Sequence, residues 1–170
     1  MKKITSIIAI ITLSIAFSTT ATAQVSASAP TSATIVTPIS IAKNTDMNFG
    51  NVAVSSAVGT VALAPASTRT KTGGVTLPAN AGTVTAAQFT VSGQAGYTYA
   101  ITLPTTLTIT KATTLETMSV DTFTSTPTPT GTLTTGSEVV LVGATLNVGA
   151  SQVTGLYENA TGFAVTVNYN

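Results

Sequence analysis

Phe163-Ala164-Val165-Thr166-Val167-Asn168-Tyr169, at the very end of the chain, carries the reading of the fold. Large apolar or aromatic side chains occupy 163, 165, 167 and 169, and small or polar ones lie between. Successive side chains of a strand point to opposite faces, so this period of two fits a half-buried strand and no helix. The same period recurs upstream. Val140 and Val142, then Leu146 and Val148, alternate across Gly143; Met118 and Val120 alternate, with Phe123 beyond; Leu107 and Ile109 precede them. Tyr97, Tyr99, Ile101 and Leu103 run to a stop at Pro104, and Ala87, Phe89 and Val91 come before. Further back lie Val75 with Leu77, Val61 with Leu63 ended by Pro65, and Met47 with Phe49 before Gly50 and Val52 with Val54 after it. Residues 67–74, polar with two charges and Gly73-Gly74, read as an exposed turn, as do 78–82, 93–96 and the Pro-rich 126–131. Short strands separated by turn signals every ~8–12 residues indicate a sandwich or a barrel. The chain is read as all-β, an immunoglobulin-like β-sandwich.

Composition narrows the function. Of 170 residues only 6% are charged, while 38 are Thr, so hydroxyls cover the surface where charges usually do. There is no Cys, His or Trp. That removes imidazole bases, thiol nucleophiles and the usual zinc sites, and it points away from an enzyme, a metal or a cofactor. A net charge of +1 gives no electrostatic footprint for nucleic acid. At the N-terminus, Lys2 and Lys3, the apolar stretch 4–17 and Ala21-Thr22-Ala23 form the three parts of a secretory signal peptide. Residues 1–23 are therefore expected to be cleaved, leaving four cations against five anions. The remaining 147 residues have the size of one domain, large enough to bury a core without disulfides.

Residues 24–36 admit two readings. Val25, Ala27, Ala29, Ala33 and Ile35 lie on alternate-phase positions among Ser and Thr, and Pro38 interrupts the pattern before Ile39 and Ile41. They form either a ragged first strand or a detached strand, with small apolar side chains, shaped for another molecule's groove.

Two motifs carry a resemblance. Met47-Asn48-Phe49-Gly50-Asn51-Val52 resembles the D/N-F-G motif that ends the first strand region in pilins of the chaperone–usher pathway. Gly155-Leu156-Tyr157, followed by Phe163 to Tyr169, is similar to their C-terminal strand. The likeness runs through the whole mature chain and is nearest to the archaic, spore-coat-U-like branch. It extends to a related group of secreted bacterial proteins known only as a domain of unknown function. Archaic pilins often carry an N-terminal disulfide, which this chain lacks. The resemblance implies an incomplete sandwich (residues 37–170) with a hydrophobic acceptor groove beside the terminal strand, bordered by Phe163, Val165, Val167 and Tyr169. A donor-strand extension (24–36) would present Val25, Ala27, Ala29, Ala33 and Ile35 to a neighbouring copy. The implied partners are a periplasmic chaperone, an outer-membrane usher and further copies in a homopolymer. The implied location is the periplasm in transit and then a surface or extracellular fimbria supporting adhesion or biofilm.

Other chemistry is thin. Asp46, Glu116, Asp121, Glu138 and Glu158 are scattered, without the pairing of a glycosidase or the clustered loop of a calcium site. Arg69 and Lys71 read as gatekeepers of a turn, and Asn159-Ala160-Thr161 as an incidental glycosylation sequon. Two rival readings stand beside the pilin. One is a stand-alone secreted adhesive or carbohydrate-binding module, presenting Tyr side chains. The other is an outer-membrane barrel, which the low aromatic content of 5% disfavours.

Overall fold

A computed structural model describes residues 23–170. The expected signal peptide therefore lies outside the described residues apart from Ala23. Contacts divide the chain between Thr34 and Ile35. Residues 23–34 form no strand or helix, and every one of them is exposed. Strand structure begins at Ser40, so of the stretch 24–41 only its last two residues lie in a strand.

The unit Ile35–Asn170 is all-β, with eleven strands and no helix among the described residues. They are β1 (Ser40–Thr45), β2 (Ala53–Leu63), β3 (Arg69–Thr76), β4 (Ala87–Ser92), β5 (Thr98–Thr102) and β6 (Thr106–Lys111). There follow β7 (Thr117–Thr126), β8 (Thr130–Thr132), β9 (Ser137–Val148), β10 (Tyr157–Glu158) and β11 (Thr166–Tyr169). Every pairing is antiparallel. The larger sheet runs β1-β4-β9-β7-β6-β10, with β2 and β3 added through β9; the smaller runs β11-β5-β8.

Strand β9 organises the core. Val140, Val142, Ala144, Leu146 and Val148 are buried in one uninterrupted phase. The first half of the strand pairs with β4 (Ala87↔Val142, Ser92↔Ser137), and the second half with β2 (Leu63↔Ala144, Gly59↔Val148). This change of partner splits the inner face in two. Over the first half, Tyr99 and Val167 of the smaller sheet, with Val165 just before β11, pack against Phe89, Val91 and Val140 of the larger. Over the second half, Val61, Val75, Val120, Ala144, Leu146 and Val148 form a separate cluster to which the smaller sheet adds nothing. No second sheet covers that region; Met47, Phe49, Val52, Val54 and Leu77 pack on it instead.

Two local readings are corrected. Residues 67–74 are not a turn: Arg69–Thr76 is strand β3, paired with β2 from Leu63↔Arg69 to Ala53↔Thr76. The turn itself is short, closed by Ser67 N–H on the Ala64 carbonyl (2.9 Å) and Ala64 N–H on the Thr68 carbonyl (2.9 Å). An edge strand paired on one side buries little, here only Val75, so its outward Thr and Lys look like loop composition. Gly73-Gly74 lies inside that strand, opposite a bulge at residues 55–58 of β2. Phe123 falls out of step with Met118 and Val120 because β7 shifts register between Asp121 and Thr124, with Thr122 at a φ of 49°.

The core holds one ionisable cluster. The Tyr99 phenol is fully buried and donates to a Glu138 carboxylate oxygen at 2.8 Å; the same oxygen accepts from the Thr132 N–H at 2.8 Å. Burial, and then the adjacent Glu138 carboxylate, push the phenol's pKa well above its ordinary value of 10.0. The folded state thus keeps a proton that the unfolded chain releases. Stability is expected to be unaffected by this group below pH 10 and to fall as pH rises beyond it. Denaturation followed from pH 9 to 11.5 should show that decline, and Tyr99→Phe should flatten it.

A candidate acceptor groove

The second half of the large sheet, which the smaller sheet does not cover, forms the floor of a groove of about 1190 Å³. Leu107 and Ile109 of β6, Met118 and Val120 of β7, and Leu146 and Val148 of β9 all line it. Cross-strand register places them side by side: Leu107 opposite Val120, Ile109 opposite Met118, and Val120 opposite Leu146. Val120, Leu146 and Val148 are buried, while Leu107, Ile109 and Met118 stay half-buried for want of a covering layer. One wall is the segment from Met47 to Val54, and the other is residues 152–163.

The first wall is held by its own motif. Asn48 pairs with Thr85 through two backbone hydrogen bonds (2.8 and 3.0 Å), and its side-chain oxygen accepts from the Gly50 N–H (2.8 Å). Gly50 then turns with a φ of 67°, which glycine adopts without cost. Arg69 of β3 donates from one guanidinium nitrogen to the carbonyls of Phe49 (2.5 Å) and Asn51 (2.9 Å). Rather than guarding a turn, Arg69 fastens the groove wall, while Phe49 packs on the second core cluster. The second wall has little strand structure. Tyr157 and Glu158 pair with Lys111 and Thr110, and Asn159 donates its side-chain N–H to the Thr108 carbonyl (2.8 Å). The sequon asparagine is thus engaged in holding the wall.

The expected site residues fall in different places. Val165 and Val167 are buried in the first core cluster, because β11 pairs with β5 and its inner face is closed by Phe89, Val91 and Val140 of the larger sheet. Phe163 alone of the four lines the groove, its ring edge-on to Phe89 (centroids 6.1 Å apart) and tilted on Phe123 (5.0 Å). Tyr169 lies away from the groove, edge-on to Tyr97 (5.5 Å). Of the four residues expected to border the groove, Phe163 is thus the one that lines this cavity. Strand β11 is an edge strand of the smaller sheet, so one of its sides is unpaired. The residues expected in a donor strand, Val25, Ala27, Ala29, Ala33 and Ile35, are all exposed, Val25 and Ile35 by 92% and 93%.

The carboxylates are dispersed among separate partners: Asp46 with Lys43, Asp121 with Asn147 and Thr122, Glu116 with Thr114, Glu138 with Tyr99. No three His, Cys, Asp or Glu side chains come together among the described residues. Of the tyrosines, Tyr99 is buried and Tyr97 is 43% exposed. The groove floor went unrecognised in the sequence, although its signal was there. Six apolar residues on neighbouring strands share one phase, and no later strand supplies a partner for that face. Among known proteins, residues 39–169 match the family described as Domain of unknown function (DUF4402). No curated protein and no solved structure matches the chain.

Proposed function

We propose that this chain, which belongs to the DUF4402 family of domains of unknown function, is a structural subunit of an extracellular fibre built by donor-strand exchange. In this reading its body is an incomplete immunoglobulin-like sandwich, and its groove receives residues 24–36 of a neighbouring copy. The observation that carries the reading is the open apolar groove. Six apolar side chains floor it, three only half-buried, on a chain whose N-terminal segment is exposed and alternates Val, Ala and Ile with Ser and Thr. Strand addition supplies such a face with a layer: main-chain hydrogen bonds give affinity and alternate side chains give register. The resemblance of residues 47–52 and 155–169 to chaperone–usher pilins supports the same reading, as does the signal peptide read at residues 1–23. On it, a periplasmic chaperone and an outer-membrane usher handle the subunit, and the fibre serves surface adhesion.

The test is addition of the donor in trans. A peptide of residues 24–36, added to a chain lacking them, should raise the unfolding free energy by about 2.7 kcal/mol when its concentration is about 100 times Kd. The same peptide with Asp at position 33 should leave the melting curve unchanged. A wild-type peptide without effect at millimolar concentration would remove the mechanism.

A further inference from the structure

The root of the N-terminal segment and the last strand meet at one phenolic oxygen. The Tyr169 hydroxyl donates to the Thr37 carbonyl (2.7 Å) and accepts from the Gln94 N–H (2.6 Å). The Gln94 side-chain oxygen in turn accepts from both the N–H (3.2 Å) and the hydroxyl (3.3 Å) of Thr37. Every polar group of Thr37 is therefore engaged by residues 57 and 132 positions away. The seat is tight: a Cβ at Gly93 would lie 2.2 Å from the Tyr169 hydroxyl, and Tyr97 stacks its ring edge-on against the other. Immediately upstream, Val36 is half-buried and Ile35 is 93% exposed. Thr37 is thus the first hydrogen-bonded point of the body, ahead of Ile39, whose side chain packs on the first core cluster.

We propose that Tyr169 is a positioning residue whose hydroxyl clamps Thr37 to the terminal strand and so fixes where the N-terminal segment leaves the body. Without that hydroxyl the Thr37 carbonyl loses its donor and Gln94 loses the acceptor of its N–H, so both sides of the contact loosen and the first firmly held residue retreats from Thr37 to Ile39. The consequence for a fibre rests on the donor-strand reading. There the segment is the link to the neighbouring subunit, and the clamp sets the stiffness of that link, because the pivot is held by strand β11 instead of floating on loose chain.

The absence of cysteine makes the test clean. Spin labels are placed on Ile35→Cys and Ser119→Cys, both exposed, in the mature chain diluted into excess unlabelled chain. Only distances within one copy are then read, whether or not the chain polymerises. Loose chain between label and pivot doubles from two residues to four when the clamp is lost, and spread grows as the square root. Tyr169→Phe should therefore widen the distance distribution about 1.4-fold. Gln94→Leu, which removes the acceptor of the Thr37 N–H and hydroxyl but leaves the Tyr169 hydroxyl on the Thr37 carbonyl and on the residue-94 N–H, should widen it by less. Val75→Ala, which weakens the second core cluster away from the clamp, should leave the width at the wild-type value. An unchanged width in Tyr169→Phe overturns the proposal, and so does equal widening in Val75→Ala, since the tyrosine would then act only through overall stability. A wild-type chain that gives a narrow distribution yet never polymerises would sink the fibre reading and leave the clamp standing.

Discussion

Removing residues 24–36, or changing Ala33 to Asp, is expected to stop fibre growth while leaving a folded, chaperone-competent subunit. Residues 23–35 are exposed and make no strand pairing, so the body loses little when they go. In the exposed segment a carboxylate at position 33 remains solvated. In a donated strand over Leu107, Val120 and Leu146 it would be buried among apolar side chains without a partner, and such burial costs several kcal/mol. About 4 kcal/mol is roughly a thousandfold in affinity, enough to end a polymer in which every link repeats the same contact. Electron microscopy and detergent-resistant ladders of secreted material should show fibres from the wild type and none from either variant. Fibres of normal length from Ala33→Asp would mean that the segment is an ordinary tail. The gain available to the donor lies in the half-buried Leu107, Ile109, Met118 and Phe163, since Val120, Leu146 and Val148 of the floor, like Val165 and Val167, are already buried within the subunit.

Gly143→Ala is expected to destabilise the body by about 3 kcal/mol, at the upper end of overpacking effects. Gly143 sits where β9 changes partner from β4 to β2. A Cβ there would lie 2.1 Å from the Leu63 oxygen, 2.8 Å from the Ala64 carbonyl carbon and 2.9 Å from the Pro65 nitrogen. All three atoms are backbone, so no side chain can swing aside. Relief requires the end of β2 to move, and with it the Leu63↔Ala144 pairing that begins the second core cluster. Against a typical domain stability of ~5–15 kcal/mol this is a large loss. The urea midpoint should fall with an unchanged slope. Gly149→Ala makes the control: its Cβ meets only the flexible end of Gln152, so its midpoint should stay near the wild type. Equal midpoints for Gly143→Ala and wild type would show that β2 yields at this crossing.

Much of the fold was legible because strand character is local. Val140, Val142, Leu146 and Val148 lie on one face, as their alternation across Gly143 indicates. Ile109, Val120 and Phe89 likewise point inward from strands whose period of two is plain. Legibility failed where local composition and pairing diverge. Thr70, Lys71 and Thr72 look like a loop, yet they form an edge strand, because backbone pairing to β2 needs no buried side chain from them. Arg69 read as a surface charge, yet it holds two carbonyls of the groove wall, 18 and 20 residues away.

The sequence by itself determined that the chain is all-β and which residues of the plainly alternating strands face inward, and it left residues 24–36 open between a first strand and a detached one. These follow from side-chain period and composition within a few residues. Only the tertiary structure decided that β9 divides its length between two partners, that the smaller sheet covers one half of the resulting face, and that the other half is left as a groove. It also decided that Val165 and Val167 close the core while Phe163 alone borders the groove, and that Tyr169 reaches back 132 residues to Thr37. Strand partners are chosen by the joint packing of segments far apart in the chain. An inward-facing side chain looks the same in sequence whether another sheet covers it or nothing does.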